Sequence, residues 1–564
     1  MTIFKYIIVL ILFLFLGKEM YAQKPMRIEI LNANSIEFDE KIGKDVKRLL
    51  GDVQFKHGNA LMYCDSAYLN SKTNLLRAFS NVHIIQNDSI DLYGDFLNYN
   101  GNSRIAKVRQ NVRLIHGNST LTTDSLDYDR TTNIAHYFSW GYLKDQDNDL
   151  QSIQGYYYSN TNDYYAVDSV VLTNPKYKIY SDSLRYNTGT DISYFYGPTD
   201  IISDSNLIYC EYGWYDTKND LARVSKNSYI QNKEKKLKGD SIFYDKAKGF
   251  GEAFSHVSVL DSTAKVLITG EYANYYEKRD SAFVTDKALM TKYGGGDTLF
   301  LHADTLKIYT LTDTLWLEPV TMLDSLLDDS LETNLSQEMV LEDTVDSFTI
   351  DTAKIITAYY HVQAFKIDLQ MRCDSLVYST KDSVIQMYNS PVIWSDDQQV
   401  TADYIKILTE DNSPTEMYLD KNAFIILKED SLHFNQIEGV NMQAYFEDNT
   451  LSRLRIENQA KSIFFPREEP TAEQERDSLK GDLIGANFTE SRRMTIWFDD
   501  NQPSKITLYS NPKGVLEPLE YKPVEQQRLE GFVWKDAIRP KTLSDIFVWK
   551  EEIIIDNKKE VTDE

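Results

Sequence analysis

The sequence predicts an all-β protein built from a repeated unit of about 30 residues. Three observations carry this prediction. One phrase recurs at a nearly constant spacing, each copy alternates apolar and polar residues, and turn-forming residues separate the copies. The composition agrees, because Tyr is common at 38 residues while Gly and Pro are sparse at 24 and 13. That mixture favours strands and turns over a disordered chain.

The repeated phrase is clearest as Asp-Ser-Leu-Asp-Tyr-Asp at 124–129, and it returns at 182–187, 240–245 and 374–378. Looser copies begin at Asp65, Asp95, Glu211, Glu271, Asp304 and Asp403, and a degenerate copy lies near 155–158. The anchors at 65, 95, 124, 182, 211, 240 and 271 are therefore 30, 29, 58, 29, 29 and 31 residues apart, where 58 is two periods. One such unit cannot bury its apolar face alone, so neighbouring units are expected to stack into one core.

The alternation inside a unit predicts which side chains share a face. Leu126 and Tyr128 point one way, while Ser125 and Asp127 point the other. A second element with the same period starts at Asn81-Val82 and Asn111-Val112 and returns at Val170 and Val257. The residues predicted to line the inner face are Val82, Ile84, Leu97, Tyr99, Val112, Leu114, Leu126, Tyr128, Leu184, Tyr186, Ile242, Tyr244, Val257, Val259, Leu376 and Tyr378.

The chain divides by composition. Residues 1–22 resemble a secretory signal, with Lys5 before the apolar run 7–16 and Ala22 at the cleavage point. Residues 308–353 hold eleven Asp or Glu and no Lys, Arg or His, which predicts a flexible acidic insertion. The predicted parts are the signal at 1–22, a β-repeat array at 23–312, the insertion at 313–353, a second β-repeat segment at 354–465, a polar linker at 466–478, and a C-terminal β unit with its tail at 479–564.

The tail carries Phe-Val-Trp-Lys twice, at 532–535 and at 547–550. Two interpretations stay open at this point. The tail is an apolar segment that covers the last strand, or it is a docking peptide.

The residue types that carry chemistry are scattered. The Asp of the phrase is expected to start a strand and to cap a turn through local backbone hydrogen bonds. Cys64, Cys210 and Cys373 each precede that acidic residue, where other units have Gly, Ala, Ser or Thr, so the position is expected to need a small side chain. No nucleophile with its base, no metal-ligand spacing and no cofactor motif is recognisable, so we expect no enzyme, metal or cofactor. The net charge of −25 argues against a nucleic-acid partner.

The segment Gly-Asp-Ser-Ile-Phe-Tyr-Asp at 239–245, with turn-bounded Asn-Val runs between copies, resembles the OstA/LptA-like family across roughly 30–310 and 355–515. The resemblance implies an antiparallel open β-jellyroll, in which two sheets fold into a V and hold lipid A acyl chains in an apolar groove. It implies lipopolysaccharide as the ligand, like-folded transport proteins joined by edge-strand addition as partners, and the periplasm, with possible attachment to the outer membrane, as the location. The acidic insertion and the paired Phe-Val-Trp-Lys motifs depart from the family's pattern.

Two other functions compete with lipid transport. A structural or carbohydrate-binding β-solenoid of the cell envelope would share the repeat, the Tyr content and the signal. A closed core with exposed Tyr and Trp would favour that function, whereas an open aliphatic groove would favour lipid. A polysaccharide lyase on a parallel β-helix would need Asp, Arg or Lys clustered on one face, and the sequence contains no such cluster.

Overall fold

A computed structural model describes residues 26–551 except 39–40, 42, 88, 205, 295–297, 317–347, 411–412, 471–480 and 500–501. The predicted signal at 1–22, most of the acidic insertion and residues 471–478 of the predicted linker lie outside the described residues. The chain forms two compact units, unit 1 up to Lys226 and unit 2 from Asn227 onward.

The described part of the chain is nearly all β, and its strands pair antiparallel, which confirms the predicted fold class. The antiparallel pairing also rules out a parallel β-helix for these residues. No helix among the described residues is long and apolar enough to cross a membrane. Unit 1 contains β1 Glu29–Asn32, β2 Ser35–Phe38, β3 Val46–His57, β4 Ala60–Asn70, β5 Leu75–Gln86, β6 Ile90–Asn100, β7 Ile105–His116, β8 Ser119–Asp129, β9 Ile134–Tyr137, β10 Gly141–Asp145, β11 Asn148–Ser152, β12 Gln154–Tyr158, β13 Asp163–Asn174, β14 Tyr177–Asn187, β15 Ile192–Ser203, β16 Leu207–Asp216 and β17 Leu221–Ser225.

Unit 2 continues the same style of strand and adds short 3₁₀ turns, most of them after the last strand. Its strands are β18 Tyr229–Asn232, β19 Lys235–Lys238, β20 Ser241–Asp245, β21 Phe250–Asp261, β22 Val266–Tyr276, β23 Ser281–Lys292, β24 Leu299–Trp316, β25 Phe348–Phe365, β26 Leu369–Ser379, β27 Val384–Tyr388, β28 Val392–Ser395, β29 Gln398–Thr401, β30 Tyr404–Glu410, β31 Ser413–Lys428, β32 Phe434–Glu447, β33 Thr450–Phe464, β34 Ala486–Asp499, β35 Gln502–Tyr509 and β36 Lys513–Glu517. The 3₁₀ turns are Glu277–Arg279, Leu519–Tyr521, Val524–Gln526, Asp536–Ile538 and Leu543–Phe547.

The strands β24 and β25 flank the predicted acidic insertion. Their backbones stay paired up to Trp316 and Phe348. Strand structure therefore extends a few residues into each end of the segment predicted as 313–353, and its mobility stays a prediction.

The long strands bend at their middles. In the pairing of β5 with β6 the register slips between Phe79 and Val82, and long pairings in both units slip at the same level. At the bend, Ser80 and Asn81 both adopt the left-handed backbone, with φ of 60° and 49°. Asn tolerates that conformation better than most residues, so the Asn-Val element of the repeat is the bend itself. The same left-handed pairs recur at 110–111, 168–169, 255–256, 286–287, 360–361 and 421–422.

The first Asp of the phrase lies at this bend. Asp65 sits in the middle of β4, where its Oδ2 accepts a hydrogen bond from Nδ2 of Asn81 at 2.8 Å. Asp95 accepts from Asn111 in the same way at 2.5 Å. The expectation that this Asp starts a strand and caps a local turn is therefore wrong for Asp65 and Asp95. Its partner is 16 residues away on the neighbouring strand, a contact that local sequence cannot reveal.

The last residue of the phrase makes the turn instead. Oδ1 of Asp129 accepts from the backbone N–H of Thr131 at 2.7 Å. Two repeats later, Oδ1 of Asn187 accepts from the N–H groups of Gly189 and Thr190 at 3.1 and 2.9 Å. These are Asx turns, which replace the hydrogen bonds that the strand ends lose.

The sheet of unit 1 folds over on itself along the line of bends. Strand β3 has 12 residues and would span roughly 40 Å if flat, at about 3.3 Å per residue. His57 ends β3 on one side of the sheet, and Tyr99 lies near the end of β6 on the opposite side, because β3 and β6 run in opposite directions. Nevertheless Nδ1 of His57 lies 2.7 Å from the Tyr99 hydroxyl. The two opposite rows of strand ends therefore meet, and we call the line along which they meet the mouth.

Candidate functional site

The inner face of the folded sheet is apolar and closed. Fourteen of the sixteen side chains predicted for this face are buried, and Val259 and Tyr378 are half-buried. Val112, Leu126 and Leu184 are at most 1% exposed. In unit 1 the two walls of the fold therefore pack against each other, and no open trough separates them in this conformation. Whether these side chains contact lipid stays a prediction.

The bends of the two walls need small inward side chains, as the sequence predicted. A Cβ atom on Gly94 would lie 2.4 Å from Cγ1 of Val108. Cys64, Cys210 and Cys373 occupy equivalent places, and all three are buried free thiols. Burial raises the pKa of each thiol to about 12, which keeps the sulfur protonated and unreactive.

Polar side chains close the mouth of unit 1. His57, Gln86, His116 and Asp145 are the last residues of β3, β5, β7 and β10, and we call them the mouth row. They face a tyrosine row that is made of Tyr99, Tyr128, Tyr157 and Tyr186. His116 Nδ1 lies 2.6 Å from the Tyr157 hydroxyl, and the Tyr186 hydroxyl donates to Oδ2 of Asp145 at 2.8 Å. Hydrogen bonds between the two rows of strand ends thus close the apolar interior at the mouth.

Arg130 is the most connected residue of this seal. Its side chain is buried, and it donates from Nε to Oε1 of Gln86 at 2.8 Å and from Nη1 to the Tyr99 hydroxyl at 2.7 Å. Nη2 donates to Oδ1 of Asn59 at 2.9 Å and to the backbone oxygen of His57 at 3.3 Å. These acceptors are all neutral. Neutral acceptors offset only part of the free-energy cost of burying a guanidinium, so these hydrogen bonds stabilise the closed mouth only weakly.

The hydrogen bonds around His57 have one consistent direction. The backbone oxygen of Met26 lies 3.1 Å from Nε2 and can only accept, so Nε2 carries the proton. Nδ1 then accepts from the Tyr99 hydroxyl, and the Tyr99 oxygen accepts from Arg130. Burial lowers the pKa of His57, and the positive charge of Arg130 lowers it further. Protonation would turn Nδ1 into a donor and break this chain of bonds.

Sequence reasoning missed the mouth row, although its signal was present. The positions 57, 86, 116 and 145 are 29, 30 and 29 residues apart, which is the period of the phrase. Each residue follows the inward register of its strand but is polar. A polar residue at an inward position indicates a strand end that contacts polar side chains from the opposite row of strand ends.

The outer face of unit 1 carries exposed rings. Phe138, Trp140, Tyr142, Tyr156 and Tyr212 have between 38% and 52% of their surface exposed. Tyr156 stacks on His136 with ring centroids 4.3 Å apart and planes 7° apart. Within the described ranges, no group of three or more His, Cys, Asp or Glu side chains is placed to hold a metal ion.

The family model described as OstA-like protein matches residues 25–182 and 202–294. For these residues the match confirms the resemblance to the OstA-like family. No curated protein matches the chain.

The OstA-like match covers nearly all of unit 1 and the first strands of unit 2. It includes the mouth row, Arg130 and the first three residues of the tyrosine row. It breaks at 183–201, across the second half of β14 and most of β15, and Tyr186 lies in this break. OstA-like proteins are transport and binding proteins of the cell envelope that are associated with lipopolysaccharide, rather than enzymes. Residues 295–564, which include the tail, lie outside the match.

Proposed function

We propose that this OstA-like chain binds acyl chains of lipopolysaccharide between the two walls of unit 1 and shields them from water on the way to the outer membrane. One observation carries the proposal. The inner face is apolar across successive strands, and hydrogen bonds at the mouth hold its two walls together. Covering an acyl chain is worth roughly 0.8 kcal/mol per CH₂ group.

Lipid entry requires the walls to separate at the mouth. The apolar contacts between the walls would then be replaced by contacts with acyl chains, which are equally apolar, so this exchange costs little. The hydrogen bonds of the mouth row would be lost to water or to the polar head group. The head group would lie at the mouth beside Arg130, where a phosphate would provide the anion that this guanidinium lacks among its protein partners. The net charge of −25 matters less than this local positive charge.

The proposed partners are like-folded transport proteins. The first edge of unit 1 is formed by the short strands β1 and β2, which both pair with β3. Edge strands offer unpaired backbone groups to a further strand. A partner that adds its own strand there would extend the apolar interior. We place this assembly in the periplasm, at or near the outer membrane.

A chemical crosslink across the mouth tests the proposal. Nε2 of Gln86 donates to Oδ1 of Asn133 at 2.6 Å across the mouth. We would make Gln86→Cys with Asn133→Cys in a chain whose three native cysteines are Ala, the residue that occupies the same bend at Ala303 and Ala402. A short bis-maleimide would join the two new thiols, because the two amide side chains separate the backbones by more than a disulfide spans. Lipopolysaccharide bound to the protein with and without the crosslink would be measured by mass spectrometry. We expect at least tenfold less lipid on the crosslinked protein, while each single-cysteine variant binds equally before and after treatment with the reagent.

Equal lipid binding with and without the crosslink would contradict entry through the mouth. Carbohydrate binding is the second candidate. Two features favour it, because the interior is closed and the outer face carries exposed rings. If the protein binds carbohydrate, the protein with its mouth linked shut should still bind lipid-free polysaccharide. Trp140→Ala with Tyr142→Ala should then abolish this binding. The stacking of His136 on Tyr156 weakens this candidate, because it covers one face of each ring and so reduces the aromatic surface on which a sugar could stack.

A further inference from the structure

The C-terminal segment 518–551, which we call the strap, crosses the outer face of unit 2. It contains short 3₁₀ turns and no strand, so it forms no backbone ladder with the sheet beneath it. Its contacts explain an irregular burial pattern in β31, where every residue from Ala423 to Leu427 is buried. Ala423 and Ile425 face inward, whereas Phe424 and Ile426 lie under the strap.

The first Phe-Val-Trp-Lys motif packs on an apolar cluster of the sheet. The rings of Phe532 and Trp534 lie 5.3 and 5.4 Å from the ring of Phe434. Both rings pack against the cluster that Phe434 forms with Phe424 and Ile426. The side chain between them, Val533, points away and is 53% exposed. The motif is therefore bound through alternate side chains.

Two buried glutamines hold the backbone of the strap. Gln399 donates from Nε2 to the oxygen of Val533 at 2.8 Å, and its Oε1 accepts from the N–H of Lys535 at 2.7 Å. Gln436 makes the same pair of bonds to the oxygen of Gln527 and the N–H of Leu529, at 3.0 and 2.8 Å. Each glutamine thus satisfies one C=O and one N–H two residues apart, as a neighbouring strand would.

The second motif is bound in a similar way. Nε2 of Gln363 donates to the oxygens of Ile546 and Val548 at 3.1 and 3.2 Å. Val548 is 55% exposed, as Val533 is in the first motif. The guanidinium of Arg372 lies 3.5 Å from the centre of the Trp549 ring and donates to the oxygen of Lys550 at 2.6 Å. A buried glutamine therefore holds the backbone of both motifs, through a C=O and an N–H group in the first motif and through two C=O groups in the second.

We propose that the outer face of unit 2 is a peptide-recognition surface for Phe-Val-Trp-Lys segments, and that its occupant in trans is the strap of a second copy of this chain. The strap can leave without unzipping a strand, because side chains alone hold its backbone. Large aromatic anchors beside buried hydrogen bonds are typical of peptide interfaces. A second copy presents the same two motifs at the same separation, so an exchanged strap satisfies both sites. This inference does not depend on the proposed lipid function.

A labelled peptide of residues 527–551 tests the recognition surface. The receptor is the full chain with Trp534→Ala and Trp549→Ala, which weakens its own strap and leaves the sheet sites intact. We expect the peptide to bind this variant at least about tenfold more tightly than the wild-type chain, whose sites are filled. Peptide Phe532→Ala with Trp534→Ala should lose at least about tenfold, whereas peptide Val533→Ala should bind within about twofold, because that side chain is exposed.

Receptor Gln399→Leu, added to the weakened chain, should also lose binding, and circular dichroism would verify that each receptor keeps its β structure. A folded, weakened chain that does not bind the peptide more tightly than wild type would overturn the recognition surface. For the second copy, two differently tagged wild-type chains would be mixed at high concentration and pulled down through one tag. Recovery of both tags, abolished by the two Trp substitutions, supports exchange. Recovery of one tag alone at every concentration overturns it.

Discussion

Leu76→Ala tests whether the two walls of unit 1 pack against each other. Leu76 is fully buried on the inner face of β5, opposite Leu69 and Tyr99. Its neighbour Leu75 belongs to the same strand but points outward and is 38% exposed. The same substitution at both positions changes strand propensity equally, so the difference between them measures burial alone.

The structure predicts a large difference. Truncating a fully buried Leu costs about 3 kcal/mol when the surroundings cannot collapse, whereas the exposed position should cost about 0.5 kcal/mol. A unit of this size loses about 2–4 °C of Tm per kcal/mol, so Leu76→Ala should lower the calorimetric transition of unit 1 by about 6–12 °C. Leu75→Ala should change it by about 2 °C or less. If the two variants melt within about 2 °C of each other, the inner face is an open, hydrated trough and the closed interior is wrong.

Two further predictions concern the mouth and the bends. Burial lowers the pKa of His57 below its ordinary value of 6.5, and Arg130 and Arg104 lower this pKa further while Glu29 opposes them. Neutral His57 therefore stabilises the fold above pH 6.5, and this stabilisation is lost as the pH falls from 6.5 towards the pKa of His57 in the folded protein. Unfolding of unit 1 in urea at pH 7.5 and 5.5 should show that loss of stability. His57→Gln can accept from Tyr99 and donate to Met26 without titrating, so this variant should lose less stability between the two pH values. If the variant and the wild type show the same pH dependence, His57 does not stabilise the mouth. At the bend, Gly94→Leu should cost about 1–3 kcal/mol in the same assay, since even its Cβ would lie 2.4 Å from Cγ1 of Val108. Substitution of Gly94 without loss of stability would mean that the bend has room to spare.

The sequence alone determined the repeat and the face that each repeat buries. Side chains of a strand alternate with a period of two, so Leu126 and Tyr128 had to share a face, and the 29–31-residue spacing had to superpose equivalent strands. It also predicted that Cys64 replaces a small residue rather than belonging to a reactive site. These properties depend on residues that are close in sequence or related by the repeat.

The tertiary structure alone decided how the edges of the sheet are satisfied. The partner of Asp65 is Asn81 on the next strand, and the partner of His57 is Tyr99, which is 42 residues away. The first pair depends on the register between two neighbouring strands, and the second exists only because the left-handed bends fold the sheet over. The strap is a similar case. Its two motifs were visible as a repeat, but the glutamines that bind them, such as Gln399, come from strands more than a hundred residues earlier, and no local periodicity connects them.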